Sequence, residues 1–146
     1  MNDNKNKFYI PSLAAFWLTF AFFIIVVAGI YINTIIYTRF ISILILIATL
    51  SIFGVLLIIF SKKAKIKKIA KSFFILTGAS AAGMGLSFLL HNFFYGIFIK
   101  IFGENFWGNG GDEPVFFILA TIVFPLALIV GVIGSIVIIA KKMVKI

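Results

Sequence analysis

The groups able to do chemistry in this chain are few, and most of them stand close together. His91 is its only histidine, and Glu104, Asp112 and Glu113 are three of its four acidic residues. Together they could supply three or four ligands to a metal on the outer face. Their spacing matches none of the recurrent ligand patterns, such as two histidines one helical turn apart. A single histidine cannot hold a buried haem from both sides. The chain has no cysteine, which excludes thiolate catalysis, Cys-ligated metal and disulfides. The sequence offers no serine–base–acid set, no paired carboxylates in a cleft and no Gly-rich phosphate loop. The expectation is a protein that is not an enzyme, with no catalytic residue, cofactor or metal.

The solvent decides which elements carry these residues. Of 146 residues, 63% are hydrophobic and 12% charged, and the mean hydropathy is +1.23. Soluble domains carry roughly 25% charged residues, and a globule of this size has too little interior for so much apolar side chain. Four apolar stretches stand out, at about residues 13–34, 40–60, 72–95 and 115–140. Each suffices to cross about 30 Å of hydrocarbon as a helix, which takes roughly 20 residues. None alternates polar with apolar as a barrel strand does. The opening MNDNKNKFYI resembles a signal peptide, but the following apolar run is too long and lacks a small-x-small cleavage site. It reads as a retained first span. The expected fold is all-α: one domain over residues 1–146, an antiparallel four-helix transmembrane bundle with an aromatic, glycine-containing outer hairpin.

Charge orients the bundle. The amino-terminal tail, the SKKAKIKKIAKS connection and the carboxyl tail hold 11 of the 13 basic residues. Only Arg39 and Lys100 lie in the other two connections. With four spans the basic segments share one side, and the positive-inside rule makes both termini cytoplasmic. The net charge of +9 thus belongs to membrane topology and not to nucleic-acid binding. The lysines could also meet anionic headgroups.

The HNFFYGIFIKIFGENFWGNGGDEP segment is the least ordinary part of the chain. A helix leaving the interface near Lys71 rises about 30 Å by His91, which puts that residue near the outer surface. From there the helix either continues outward or turns at Gly96. Asp112 or Glu113 is suited to start the fourth helix, with Pro114 in its first turn. His91, Asn92, Tyr95, Glu104, Trp107, Asp112 and Glu113 form the candidate outer-face cluster. An amphipathic cap on the headgroups, a partner-docking surface and a ligand site all remain open for it.

Small residues recur at four-residue spacing as Thr77, Ala81 and Gly85 in the third span and as Ala127, Gly131 and Ser135 in the fourth. Such stripes let membrane helices approach closely. Their depths, roughly 21 Å for Gly85 and 15 Å for Gly131, predict that the two glycines meet in mid-bilayer. Pro125 is expected to kink the fourth helix. No ionisable residue falls in mid-membrane, where proton and ion pathways usually keep one.

The stretch LTGASAAGMGLSFLLHNFFYGIFIKIFGENFW, followed by GGDEPVFF, resembles uncharacterised small four-span integral membrane proteins of prokaryotes. The resemblance covers roughly the second half of the chain and implies fold and location in a prokaryotic plasma membrane. It carries no family activity and no functional residues. The function expected is that of a non-catalytic multi-pass membrane protein, surrounded by lipid and associating with itself or with other membrane proteins. A small transporter or channel component is the alternative, and a lipid-interacting protein a third.

Overall fold

The computed structural model describes residues 7–32, 40–108 and 111–141. The expectations for Arg39 in the first connection and for most of both tails lie outside them. Its helices are α1 (Tyr9–Ile32), α2 (Phe40–Lys63), α3 (Lys68–Phe102), α4 (Pro114–Ile118) and α5 (Phe124–Ala140). A π-helical turn, Leu119–Val123, joins the last two into one fourth span. Four helices are therefore long and apolar enough to cross a membrane. The protein is a multi-pass, all-helical membrane protein. Its outward faces fit that solvent: Ile45, Leu86, Leu126 and Ile133 are all more than half exposed, as a lipid-facing surface requires.

Two helices carry detail that the sequence left open. The third continues to Phe102 without turning at Gly96. A glycine inside a helix costs only about 1 kcal/mol, too little to end one whose backbone bonds have no better partner in a membrane. The helix stops at Gly103, whose φ of 91° lies in the left-handed region. The distortion at Pro125 takes the form of the widened turn just before it. Proline has no N–H and crowds the carbonyl four residues back; the π turn instead closes with Phe124 N–H donating to Leu119 O.

Contacts along the helices fix their register. Ser51 meets Ala81, Gly54 meets Gly78 and Lys71 meets Lys62, so partner numbers fall along α3 as they rise along α2. The same inverse order holds between α3 and the fourth span, where His91 meets Glu113, Gly83 meets Phe124 and Gly134 meets Phe73. Phe16 of α1 stacks on Phe74 of α3, their centroids 5.4 Å apart. Phe16, Phe74, Leu50, Leu57 and Leu128 are completely buried and form the centre of the core.

The closest approach lies between α2 and α3. A Cβ on Gly54 would lie 2.6 Å from Gly78 O, and one on Gly78 equally close to Gly54 O. Only glycine at both positions allows the two backbones to touch. Both residues stand twelve positions from Ile66 in the connecting turn.

The stripe expected to join Gly85 to Gly131 divides instead between two neighbours. Gly131 lies against Thr77, whose backbone nitrogen would be 2.8 Å from an added Cβ. The Thr77 and Ser135 hydroxyls are 3.5 Å apart beside it. Gly85 faces Ser51 of α2, not Gly131. The cause is helical phase: a four-residue step overshoots a 3.6-residue turn, so Thr77 and Gly85 differ by about 80° around α3. Ala81, between them, accepts a hydrogen bond from the Ser51 hydroxyl at 3.3 Å. Ala127 is half-buried on α5.

Candidate functional site

Of the seven residues in the outer-face cluster, three come together tightly. His91 sits four turns beyond Thr77 on α3, facing the start of the fourth span, and its side chain is 13% exposed. Its Nδ1 lies 3.1 Å from the Glu113 carbonyl oxygen and 3.3 Å from Glu113 Oε2. Its Nε2 lies 3.5 Å from Asp112 Oδ2. Phe117 and Tyr95 flank the ring, with centroids 5.6 and 6.4 Å away.

Glu113 is the residue around which this corner is built. It is 5% exposed and occupies the N-cap position before Pro114. Its carboxylate accepts from Val115 N at 2.8 Å and Phe116 N at 2.9 Å. A helix start leaves several backbone donors unsatisfied, and a capping carboxylate answers them with charge as well as hydrogen bonds. The same group faces His91, so one buried acid closes the helix end and ties it to α3. Asp112 is half-exposed and accepts from Glu113 N at 2.8 Å.

The remaining four members are arranged around the aromatic residues. Tyr95 stacks on Trp107 at 6.3 Å, and the indole N–H donates to Tyr95 O at 3.5 Å. Phe98 links this pair to Phe102 and Phe106, forming a ladder of rings that folds the 103–108 turn back onto α3. Gly108, with φ of 74°, makes that reversal. Asn92 donates to Phe88 O one turn back on its own helix. Glu104 is exposed on the turn and joins neither His91 nor Glu113. Among the described residues no group of three or more His, Cys, Asp or Glu side chains is placed to hold a metal ion.

A second feature was missed in the sequence. A groove of about 450 Å³ opens along α2 and α3. Ala48, Ser51, Ala82 and Gly85 are its smallest lining residues, with Ile52 and Leu86 among the larger ones. No residue of α1 or the fourth span lines it. It lies on the side of α3 facing away from the fourth span, open to the lipid. The signal was present in the sequence as Ala48 and Ser51 on α2 opposite Ala82 and Gly85 on α3, legible only once the register is known.

Four of the buried hydroxyls are turned along their own helices, while that of Ser61 has no hydrogen-bond partner among the described residues. Ser12, Thr19, Thr77 and Ser135 each donate to the carbonyl four residues before them. Such bonds satisfy a polar group without opening a path for solute. Compared with protein-family models, with curated proteins and with solved structures, the chain matches none.

Proposed function

We propose that the protein is a non-catalytic component of a prokaryotic plasma membrane, an antiparallel four-helix bundle with both termini cytoplasmic. It associates with a second copy or with another membrane protein through the α2–α3 face. The observation that carries this reading is the lateral groove, floored by Ala48, Ser51, Ala82 and Gly85 and walled by long apolar side chains. Small floors between larger walls are how membrane helices receive a neighbouring helix, because close backbone approach replaces the missing hydrophobic drive.

The bundle interior supports it from the other side. Backbones touch at Gly54 and Gly78, phenyl rings fill the notches at Gly83 and Gly134, and the Ser12, Thr19, Thr77 and Ser135 hydroxyls are spent on local carbonyls. A transporter or channel would call for polar groups converging on a continuous path. A lipid-modifying site would call for the lysine turn or His91 at the mouth of the groove, and neither lines it. The 93–108 aromatic turn then serves as an outer cap, with Tyr95 and Trp107 at interfacial depth.

The test is the mass of the intact protein after extraction in gentle detergent, with co-purifying chains identified by mass spectrometry. A dimer or a stoichiometric complex is expected. A strictly monomeric species across detergents and protein concentrations would refute the reading.

A further inference from the structure

The two ends of the bundle differ in charge, and only one of them is balanced. Lys62, Lys63, Lys65, Lys67 and Lys68 are all exposed at the α2–α3 turn. Lys71 closes the group, its ammonium donating to Lys62 O at 3.3 Å. The Lys63 ammonium stands 5.5 Å from the Phe8 ring, which brings Lys7 alongside. Because Gly134 packs against Phe73, the exposed Lys141 ends at this same level. Among the described residues no acid stands here: Asp112 and Glu113 are engaged with His91, about 30 Å up α3 from Lys71.

The backbone that carries these lysines is held in place. Ala64 and Ile66 are 3% and 4% exposed, so buried apolar side chains alternate with Lys63, Lys65 and Lys67. Ala64 N–H donates to Phe60 O, and Lys71 N–H to Lys67 O. A connection pinned in this way gives up little freedom when it binds. Its position at the ends of two spanning helices sets the ammonium groups at headgroup depth.

We propose that the 62–71 turn is a binding surface for the phosphate of anionic phospholipid headgroups in the leaflet it faces. Charge complementarity selects that occupant: a cluster of ammonium groups with no acid beside it among the described residues stands at headgroup depth, where lipid phosphates are abundant. A topological signal needs only the charges themselves, whereas this turn also pins the backbone from which they extend. Each lysine near an anionic surface contributes roughly fivefold in affinity, so the loss of two costs about 25-fold.

The experiment titrates the purified full-length protein with phosphatidylglycerol and with phosphatidylcholine of identical chains, counting bound lipids by native mass spectrometry. Phosphatidylglycerol is expected to bind in preference. Its affinity should fall about 25-fold in Lys65→Gln/Lys67→Gln, and hold in Lys65→Arg/Lys67→Arg and in Lys100→Gln at the far end. Equal retention of the two lipids, or full affinity in the glutamine pair, overturns the proposal. Displacement of the lipid by millimolar inorganic phosphate also overturns it and marks a soluble-anion site. Should the glutamine pair fail to insert, the wild-type protein decides, since lipid binding that does not weaken with added salt contradicts a charge-based surface.

Discussion

Gly54→Ala puts a Cβ 2.6 Å from the Gly78 carbonyl oxygen and 2.9 Å from both Ala81 Cβ and Ala82 N. Two of those three neighbours are backbone atoms, which cannot rotate away. Ordinary contact begins at 3.4 Å, so α2 and α3 must separate by most of an ångström. A gap of roughly 0.5–1 Å forfeits a quarter to a half of each dispersion contact it opens. Overpacking of this kind costs about 1–3 kcal/mol, and the better helix propensity of alanine returns up to about 1 kcal/mol. The net expectation is a loss of about 1–2 kcal/mol, read as a lower unfolding midpoint in detergent followed by circular dichroism. Gly96→Ala is the internal control, because its Cβ meets nothing within 4 Å. That variant keeps only the propensity gain and should be as stable as the wild type or more so. If Gly54→Ala melts at or above the wild-type midpoint, the reasoning about touching backbones is wrong.

Gly131→Leu should destabilise in the same assay, since even a Cβ there would crowd the Thr77 backbone, while Ile45→Leu on the exposed face should change little. Glu113→Ala removes both the cap of the fourth span and the partner of His91, and should cost about 1–2 kcal/mol; Asp112→Ala, half-exposed and off the helix end, should cost clearly less in the same unfolding assay. Cysteines placed at Lys65 and Asn109 of the cysteine-free chain should label from opposite sides, with an impermeant thiol reagent on intact cells reaching only position 109.

Spans were legible because hydropathy over twenty residues depends on composition and not on partners. The boundaries were less so. The helical stretch past Tyr95 to Phe102 is apolar but for Lys100, and the sequence alone left a turn at Gly96 open; the stacked rings of Phe98, Phe102 and Phe106 that accompany the continuous helix show themselves only once the turn after it is placed. Glu113 was readable as one of two acids before Pro114, but its meeting with His91 depends on the register between α3 and the fourth span. The packing stripes failed for a related reason. Matching depths along two helices ignores their rotation, and eight residues were enough to turn Gly85 from the fourth span toward Ser51. A better signal was available in Gly54 and Gly78, equidistant from a short turn and so placed to face each other in a helical hairpin. The α2–α3 groove needed that register too, since neither helix carries it alone.

Association through the α2–α3 face is the central claim, and disulfide cross-linking in native membranes tests it most directly. Leu86 lines the groove and Ile133 lies on α5, which contributes nothing to it; they are 58% and 57% exposed, so a cysteine at either site is equally reachable by oxidant. Leu86→Cys should give a dimer or a defined adduct with another membrane protein on mild oxidation, while Ile133→Cys stays monomeric. Equal cross-linking at the two positions, or none at Leu86→Cys, would contradict the account.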